Sequence, residues 1–363
     1  QLRPRTLAAY RATADKLVAW AERVKLRSAD DLNRARLMSF REALIAEAKR
    51  ISKKGAKRGV FVETGERRSP ERVNSELRKV RTVLGYLRRL ELLPRVTNDD
   101  LQDALKRLPV ASERIQYLRP HECQKLLEAA LRHDAATYTE TREEHAGKGR
   151  QRIGTTPRYD PIAPFVAFVL LTGCRFGEAL ALDWTQVELD ALDHEGRKVG
   201  EVHLKGAATK THKARTIGLE VSPALHKLLS AVHLASGGKG SVFALSRATA
   251  EAAAKRLRAE YGAPASFTWQ ALRRTCGTYL TNAPGIFGAA SAYRSAKQLG
   301  HSVQVAERHY VDVARGIPRD ARTLEAAMQI DDAMAKLLAT ASDRAVGGIA
   351  DLKKTQVAGR IGL

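Results

Sequence analysis

The sequence predicts a mainly α-helical protein with a small antiparallel β-sheet, arranged as two domains. Apolar residues recur at helical spacing through most of the chain. Two short runs, at residues 201–204 and 215–219, instead have the pattern of β-strands. The length of 363 residues favours two compact domains over one. We expect a helical domain over residues 1–110, a linker at 111–116, a mixed α/β domain over 117–340 and a C-terminal tail over 341–363.

The composition is strongly basic, with a formal net charge of +22 from 62 Lys and Arg against 40 Asp and Glu. This excess favours a polyanionic partner, and nucleic acid is the commonest one; a merely basic protein is the alternative. Aromatic residues make up only 6% of the chain, which disfavours a single-strand binder that stacks bases. No apolar run is long enough to span a membrane. The three cysteines have no paired spacing, which fits a reducing cytoplasm.

Three helices are predicted in the first domain. Helical spacing indicates the first two at residues 6–25 and 30–49, and Ser69 followed by Pro70 starts a third that runs to about residue 90. Residues 49–68 between them hold eight basic and two acidic side chains, so we expect an exposed loop or a small hairpin. The basic side chains of this segment that are candidates for contact with phosphates are Lys53, Lys54 and Lys57.

The third helix carries an apolar stripe and, rotated by roughly 100° from it, a polar and basic one. An apolar face beside a basic face suits a helix that packs in a bundle and faces DNA, whereas a solvated basic face is the alternative. The candidate DNA-binding residues of this stripe are Asn74, Arg78, Arg81 and Arg88.

The second domain opens with a predicted helix over residues 121–132. The polar segment at residues 137–159 has neither helical nor strand period, so we expect an exposed insertion. Further helices are predicted at residues 162–171, 175–182, 222–234, 248–261, 271–280, 287–299, 303–314 and 321–338.

The sequence QLGHSVQVAERHY, near the end of this domain, places His301 just before a predicted helix and Tyr310 nine residues later. Val303, Ala306 and Tyr310 fall on one face of that helix. An aromatic residue on an apolar stripe is more often part of the core, so this motif alone assigns no function.

A second motif, TGCRFGEALALDW, places Arg175 at a helix start directly after a glycine turn. Glu178 follows one helical turn later, where its carboxylate can steady the guanidinium. An arginine in an apolar surround requires a partner, so we expect a salt bridge or a bound anion. The pair with Glu178 alone is the simpler explanation.

Two more motifs carry polar side chains. TWQALRRTCGTYL places Gln270 and Arg273 one helical turn apart, and KTHKART places Lys210 and Lys213 in a turn between the two strand runs. Arginines from two helices, a hairpin lysine, a histidine and a tyrosine can surround one phosphate. Phosphoryl transfer is catalysed mainly by positioning and charge stabilisation, and a tyrosine can act as a covalent nucleophile.

In order and spacing, the four motifs T-G-x-R-x-x-E, K-T-x-K-x-R, L-R-R-T and L-G-H with a tyrosine nine residues later resemble the catalytic domain of the tyrosine recombinases. The phage-integrase and Xer-like branch is the most similar. The resemblance covers residues 117–338, and the preceding helical domain resembles the core-binding domain of that family. Each motif alone would be weak, but four in order are specific.

This resemblance implies a site-specific recombinase that cuts and rejoins duplex DNA. Arg175 and Arg273 would clamp the scissile phosphate, and His301 would assist in charge stabilisation and proton handling. Tyr310 would attack to give a 3′-phosphotyrosine link, while Lys210 would protonate the 5′-hydroxyl leaving group. The link conserves the energy of the broken bond, so neither ATP nor a metal cofactor is implied.

One position departs from the family pattern, since Gln270 stands where these enzymes usually have histidine. Glutamine can donate a hydrogen bond to a phosphate oxygen but cannot exchange a proton near neutral pH. We expect cleavage to be retained and slower than with histidine.

The resemblance also implies partners and a location. Four protomers would assemble on two duplex recombination sites and exchange strands through a Holliday junction, with accessory DNA-bending or directionality proteins as further partners. The helix at residues 321–338 is a candidate for exchange with a neighbouring protomer, and packing on its own chain is the alternative. The implied location is the bacterial cytoplasm, at the nucleoid.

The leading hypothesis for the biological role is integration or excision of a mobile genetic element. Both a simple recombinase and a larger integrase with an arm-binding domain fit this role. A type IB topoisomerase-like enzyme would share the chemistry but would relax supercoils as a monomer without paired sites. A DNA-binding protein with a weakened catalytic centre is the third alternative, prompted by Gln270.

Overall fold

The computed structural model describes residues 4–52, 61–111, 116–137, 157–206, 214–288, 291–310 and 317–360. The chain divides into two compact units, Gln1–Glu113 and Arg114–Leu363, and the boundary falls within the predicted linker. The described residues are mainly helical with two small antiparallel sheets, so the predicted fold class is confirmed. None of the helices in these ranges is long and apolar enough to cross a membrane.

The first unit is a helical bundle around one apolar core. Asn33, Ser69 and Thr97 begin three of its helices, each accepting a hydrogen bond from a backbone N–H three residues later. Trp20 and Phe40 meet edge to face in the core, with ring centroids 5.3 Å apart. The helices are α1 (Pro4–Arg23), α2 (Arg34–Ala46), α3 (Pro70–Arg89) and α4 (Asn98–Ala104), of which only α4 was not predicted.

The basic segment between α2 and α3 forms an antiparallel hairpin of β1 (Ala48–Ser52) and β2 (Phe61–Arg67), rather than a loop. Cross-strand ion pairs join Arg50 to Glu63 at 2.7 Å and Lys49 to Glu66 at 2.6 Å. The three predicted phosphate contacts of this segment, Lys53, Lys54 and Lys57, lie outside the described residues.

The second unit packs its helices around one almost wholly buried helix, α6 (Ala163–Thr172), of which every residue except Pro164 is buried. Its helices are α5 (Pro120–Asp134), α6 (Ala163–Thr172), α7 (Phe176–Leu180), α8 (Pro223–Ser236), α9 (Arg247–Ala259), α10 (Trp269–Asn282), α11 (Pro284–Phe287), α12 (Ser291–Leu299), α13 (Val303–Tyr310), α14 (Leu324–Met328) and α15 (Asp331–Arg360). Most of the predicted insertion, residues 138–156, lies outside the described ranges.

The sheet of this unit has the order β3 (Val187–Glu188), β4 (Glu201–Leu204), β5 (Arg215–Gly218), and both pairings are antiparallel. Val202 pairs with Ile217 in the register, and both side chains are buried on the same face of the sheet. The two predicted strands are present, while the two-residue β3 was not predicted. The segment at residues 207–213, which includes Lys210 and Lys213, lies outside the described residues.

Two predicted helices are wrong in extent. The helix expected at residues 287–299 is interrupted, since α11 ends at Phe287 and α12 begins at Ser291. The helix expected at residues 321–338 is divided at Gln329, which adopts a left-handed φ of 53°. A single residue in this conformation ends a helix but does not change the spacing of the apolar residues in the sequence.

The last helix, α15, continues to Arg360, through most of the segment that was predicted as a C-terminal tail. Its buried face includes Met334, Leu337 and Ala341 and packs against α8 of the same chain. Within its described side chains the helix packs on its own chain, and its exchange with a neighbouring protomer stays a prediction.

Candidate functional site

A glycine turn between α6 and α7 fixes the position of Arg175. Gly173 adopts a left-handed φ of 63°, and a Cβ atom there would collide with Cδ2 of Leu299. Arg175 begins α7, and its backbone N–H and its Nη1 donate to the Glu178 carboxylate at 3.1 and 2.9 Å. The predicted pair of Arg175 and Glu178 is therefore present, and it forms within the first turn of a helix.

Glu178 also binds a second guanidinium group, that of Arg215 on β5. Nη2 of Arg215 donates to one carboxylate oxygen at 2.6 Å and Nη1 approaches the other at 3.4 Å. Burial raises the pKa of Glu178, but hydrogen bonds and charge from Arg215, together with hydrogen bonds from Arg175, bring the pKa below its ordinary value. The carboxylate is therefore ionised at neutral pH, although only 4% of the residue is exposed.

Arg273, on α10, is buried and held by backbone oxygens. Its Nη1 donates to the carbonyl of Gly173 at 2.7 Å and its Nη2 donates to the carbonyl of Leu299 at 2.6 Å. Burial, followed by the charges of Arg175 and Arg215, lowers the pKa of Arg273 to about 10. The three guanidinium groups outnumber the carboxylate of Glu178, which makes this part of the site receptive to an anion.

Tyr310 ends α13 and is only 5% exposed. It packs in a small cluster with Ala296, Leu299 and Ala306. The backbone carbonyl of Tyr310 accepts a hydrogen bond from Nδ2 of Asn282 at 2.5 Å. The predicted apolar face of this helix is thus present, and the tyrosine belongs to it.

The ring of Tyr310 also lies close to the charged groups of the site. Burial raises the pKa of the Tyr310 phenol, while the positive charges of Arg273, Arg274 and Arg175 act in the opposite direction. Because the pKa stays above its ordinary value, the phenol is protonated at neutral pH. A base must therefore accept its proton before or during any attack by this oxygen.

His301 lies in the short link between α12 and α13, beside the tyrosine. The two rings are stacked, with centroids 5.5 Å apart and an interplanar angle of 28°. Nδ1 of His301 is 3.0 Å from the carbonyl of Ser302, and this contact requires Nδ1 to carry the proton because a carbonyl only accepts. The histidine and the tyrosine of the last motif are therefore neighbours.

An aromatic stack connects the starts of the two helices that carry the arginines. Phe176 follows Arg175 directly, and its ring stacks on Trp269 with centroids 4.9 Å apart and an interplanar angle of 9°. Trp269 precedes Gln270, whose side chain is exposed at the beginning of α10. The stack joins the helix start that carries Arg175 to the helix start that carries Gln270, although the two residues lie in different motifs.

A groove of about 1150 Å³ opens beside this cluster, between the β4–β5 strands and α12. Its lining includes His301 and Arg215, which connect it to the site, and the guanidinium of Arg215 is bound to Glu178 and to the carbonyl of Gln298. The other basic side chains of the lining are His203, Lys205, Arg294 and Lys297. A groove with this lining is suited to an extended polyanion.

In the first unit, two of the four predicted DNA-binding residues of α3 have local partners. Asn74 exchanges hydrogen bonds with the backbone of Leu108 at 3.0 and 2.7 Å, and Nη2 of Arg81 donates to the carbonyl of Leu105 at 2.6 Å. Both side chains hold the segment that follows α4. Arg78 is exposed and Arg88 is half-buried.

A basic pocket of about 670 Å³ lies instead at the base of the hairpin, beside the start of α3. Arg68 within it is paired with Glu47 at 2.7 Å, while Arg67 and Arg72 are exposed. Its basic lining consists of Lys16, Lys49, Arg50, Arg67, Arg68 and Arg72. The sequence signal for this pocket was the charge of residues 49–68, but its place against α3 was not predictable.

The structure thus brings Arg175, Arg273, His301 and Tyr310 together. Gln270 begins the helix that carries Arg273, and Lys210 lies outside the described residues. Arg215 was missed, although it is the last residue of the quoted K-T-x-K-x-R motif. Among the side chains that the structure describes, no three His, Cys, Asp or Glu residues are grouped so as to hold a metal ion.

No protein-family model matches the chain, and no curated protein matches it by sequence. Its structure is similar to that of the XerH site-specific recombinase bound to palindromic difH substrate, a post-cleavage complex. That similarity has a TM-score of 0.50 and 13% identity, and it covers 82% of this chain and 73% of that one. This likeness shows that the chain has the tyrosine recombinase fold.

Two further solved structures are similar at lower TM-scores. The Tn1549 transposon integrase in complex with transposon right end DNA has a TM-score of 0.49 and 14% identity, covering 92% of this chain and 95% of that one. The catalytic domain of bacteriophage HP1 integrase has a TM-score of 0.34 and 19% identity, covering 54% of this chain and 86% of that one.

Proposed function

We propose that this protein is a tyrosine-type, site-specific DNA recombinase that cuts and rejoins duplex DNA. The observation that carries this proposal is the cluster in which Arg175, Arg273, His301 and Tyr310 of one chain meet. A tyrosine beside two arginines and a histidine suits transfer of a phosphodiester to the phenol oxygen. The fold shared with XerH, which was solved with its DNA substrate, gives further support.

In the proposed reaction, the phenol oxygen of Tyr310 attacks the scissile phosphorus. A bond forms between that oxygen and phosphorus, the bond to the 5′ oxygen breaks, and a 3′-phosphotyrosine link remains. The phenol loses its proton to a base, and the departing 5′ oxygen gains one from an acid, for which we propose Lys210. Attack by a 5′-hydroxyl on the phosphotyrosine reverses these steps and rejoins a strand.

The two arginines would stabilise the negative charge that develops on the non-bridging oxygens. Hydrogen bonds to two carbonyls fix the plane of the Arg273 guanidinium before substrate arrives, so little reorganisation is needed during the reaction. Glu178 shares its single negative charge between Arg175 and Arg215. A bound phosphate would supply the further negative charge that Arg175 and Arg273 need. His301 would assist from its position against the tyrosine ring, and Gln270 would donate a hydrogen bond where the family usually has histidine.

We propose that each protomer cuts with its own tyrosine. The support is local, because the ring of Tyr310 packs on α10 and α12 of the chain that also carries the two arginines. Delivery of this tyrosine to a neighbouring protomer would require the whole cluster to open.

Duplex DNA is the proposed partner, and phosphates would lie along both basic surfaces. In the second unit this is the groove beside His301. In the first unit it is the pocket at the base of the hairpin, where the exposed Arg67 and Arg72 are the strongest candidates. Of the contacts predicted from sequence, we retain as proposals Arg78, Arg88, Lys53, Lys54, Lys57 and Lys213.

The larger assembly is part of the same proposal. Four protomers would act on two sites through a Holliday junction in the bacterial cytoplasm, with accessory DNA-bending or directionality proteins, to integrate or excise a mobile element. Exchange of α15 between protomers is part of this proposal.

The test is formation of a covalent protein–DNA complex on nicked suicide duplexes that carry candidate sites from beside the gene. We expect the wild type to form the complex and Tyr310→Phe to bind the same DNA without forming it. Equal amounts of complex in both proteins, or none on the authentic site, would contradict the mechanism. Relaxation of supercoiled DNA that lacks such sites would instead favour the topoisomerase-like alternative.

A further inference from the structure

Arg215 joins three parts of the second unit through one guanidinium group. It projects from β5, and its side chain is only 7% exposed. Nη2 and Nη1 contact the two carboxylate oxygens of Glu178 at 2.6 and 3.4 Å, while Nε donates to the carbonyl of Gln298 at 3.0 Å. The residue therefore links the sheet to α7 and to the end of α12.

Both partners of Arg215 lie next to residues of the proposed cleavage site. Glu178 shares its carboxylate between Arg215 and Arg175, whose Nη1 lies 2.9 Å away. Arg215, on β5, fixes the position of the Glu178 carboxylate. Because Arg175 binds the same carboxylate, the direction in which the Arg175 side chain extends depends on Arg215.

At the other end, Gln298 precedes two residues that the site uses. The carbonyl of Leu299 accepts a hydrogen bond from Arg273, and His301 follows two residues later. Gly300 between them has a left-handed φ of 71°, and a Cβ atom there would lie 3.0 Å from Cδ of Arg215. The chain thus runs closely over the Arg215 side chain just before it reaches the histidine.

We propose that Arg215 is a positioning residue of the cleavage site. It sets the orientation of Arg175 through Glu178 and the path of the His301 segment through Gln298, and it does not itself contact DNA. This inference rests on the proposed recombinase function.

The geometry requires arginine rather than any cation. A planar fork can hold a carboxylate with two nitrogen atoms while its Nε reaches a third group, whereas the ammonium group of lysine is a single point charge. Arg215→Lys should therefore keep the positive charge beside Glu178 and lose the geometry.

The experiment first establishes the reaction, with wild type and Tyr310→Phe on the authentic site. Arg215→Gln and Arg215→Lys are then compared in single-turnover formation of the covalent complex, on the natural phosphodiester and on a methylphosphonate at the same position. Arg197→Gln is the matched control, because Arg197 is an exposed arginine of the same unit that pairs with Asp193 at 2.7 Å.

We expect both Arg215 variants to cleave the phosphodiester about 10- to 100-fold more slowly, the range that a misplaced catalytic group produces. Their DNA affinity should stay within about threefold of wild type, because a buried and fully engaged guanidinium makes no phosphate contact. On the methylphosphonate the deficit should shrink, since that group lacks the oxygen charge that Arg175 would neutralise. The control should match wild type on both substrates.

Wild-type rates in the Arg215 variants would overturn the proposal. An equal deficit on both substrates would overturn it too, because general damage to the fold does not distinguish them. A wild-type rate in Arg215→Lys alone would show that charge suffices. If Arg215→Gln does not fold, the lysine variant carries the test, whereas a wild type that forms no complex contradicts the recombinase function itself.

Discussion

Gly277 is the residue of α10 that lies against the ring of Tyr310. A Cβ atom at this position would lie 2.9 Å from Cε1 and Cζ of the tyrosine and 2.8 Å from Cδ1 of Leu299. Carbon atoms pack at about 3.5 Å or more, so Gly277→Ala requires the ring to retreat by roughly 0.6 Å. A displacement of 1 Å can cost about 100-fold in rate, and we therefore expect covalent-complex formation to slow by about tenfold.

The effect of this substitution on stability should be small, because two terms oppose each other. Alanine in a helix interior is favoured over glycine by up to about 1 kcal/mol, while overpacking costs about 1–3 kcal/mol. The free energy of unfolding should therefore change by no more than about 2 kcal/mol. Single-turnover cleavage of a suicide duplex gives the rate, and thermal unfolding gives the stability.

Gly85→Ala is the matched control, since Gly85 also lies inside a helix and a Cβ atom there meets nothing within 4 Å. It should gain up to about 1 kcal/mol in stability and cleave at the wild-type rate. Wild-type cleavage by a folded Gly277→Ala protein would refute the placement of Tyr310 against this helix. So would a loss of rate that merely follows the unfolded fraction.

Four more outcomes are expected, from the titrating groups, the basic pocket and Gln270. Because burial raises the pKa of Tyr310, the rate of covalent-complex formation should rise with pH, by up to about tenfold per unit between about pH 6 and 8. The pKa of Glu178 lies below its ordinary 4.5, so the carboxylate stabilises the fold above that pH and the contribution is lost as the pH falls through the lowered value. Glu178→Gln should cost about 3–5 kcal/mol at neutral pH and less in acid, measured by unfolding. Arg67→Gln combined with Arg72→Gln should reduce the slope of log affinity against log salt by about 2, if each side chain contacts one phosphate. Gln270→His should cleave a suicide duplex at least as fast as the wild type.

Each of these outcomes has a result that contradicts it. A rate that falls with pH would contradict the protonated phenol, and a stability loss in Glu178→Gln that does not shrink in acid would contradict its ionisation. Arg34→Gln, which removes one exposed arginine paired with Asp103 at 3.3 Å, is the control for the salt slope, and a reduction of about 1 there would point to net charge alone. Much slower cleavage by Gln270→His would contradict the role given to glutamine.

The helices were predictable because their signals are local. Ser69 and Pro70 mark the start of α3, and the apolar spacing that follows predicts its buried face. The same period could not reveal the break at Gln329, because one left-handed residue interrupts the backbone and not the pattern. The two-residue β3 is too short to show any period.

The stripe on α3 shows a different limit. Spacing placed Asn74, Arg78, Arg81 and Arg88 on one face, and an exposed basic face suggested DNA. Whether such a side chain can contact DNA depends on what packs beside it. Here Asn74 and Arg81 form hydrogen bonds with the backbone of the segment after α4. That segment lies more than twenty residues away, so no local pattern records the contact.

By itself, the sequence determined the helical class, the small sheet and the identity of the motifs that could bind a phosphate, because residue type and short-range spacing are written in it directly. Only the tertiary structure decided that Tyr310 lies against His301 and close to the charges of Arg273, Arg274 and Arg175, and that Arg215 binds Glu178 and Gln298. The contacts of Arg215 span 37 residues to Glu178 and 83 to Gln298. Hydrogen bonds over such separations depend on how the elements pack in three dimensions, and the short-range spacing of residues in the sequence does not record that packing.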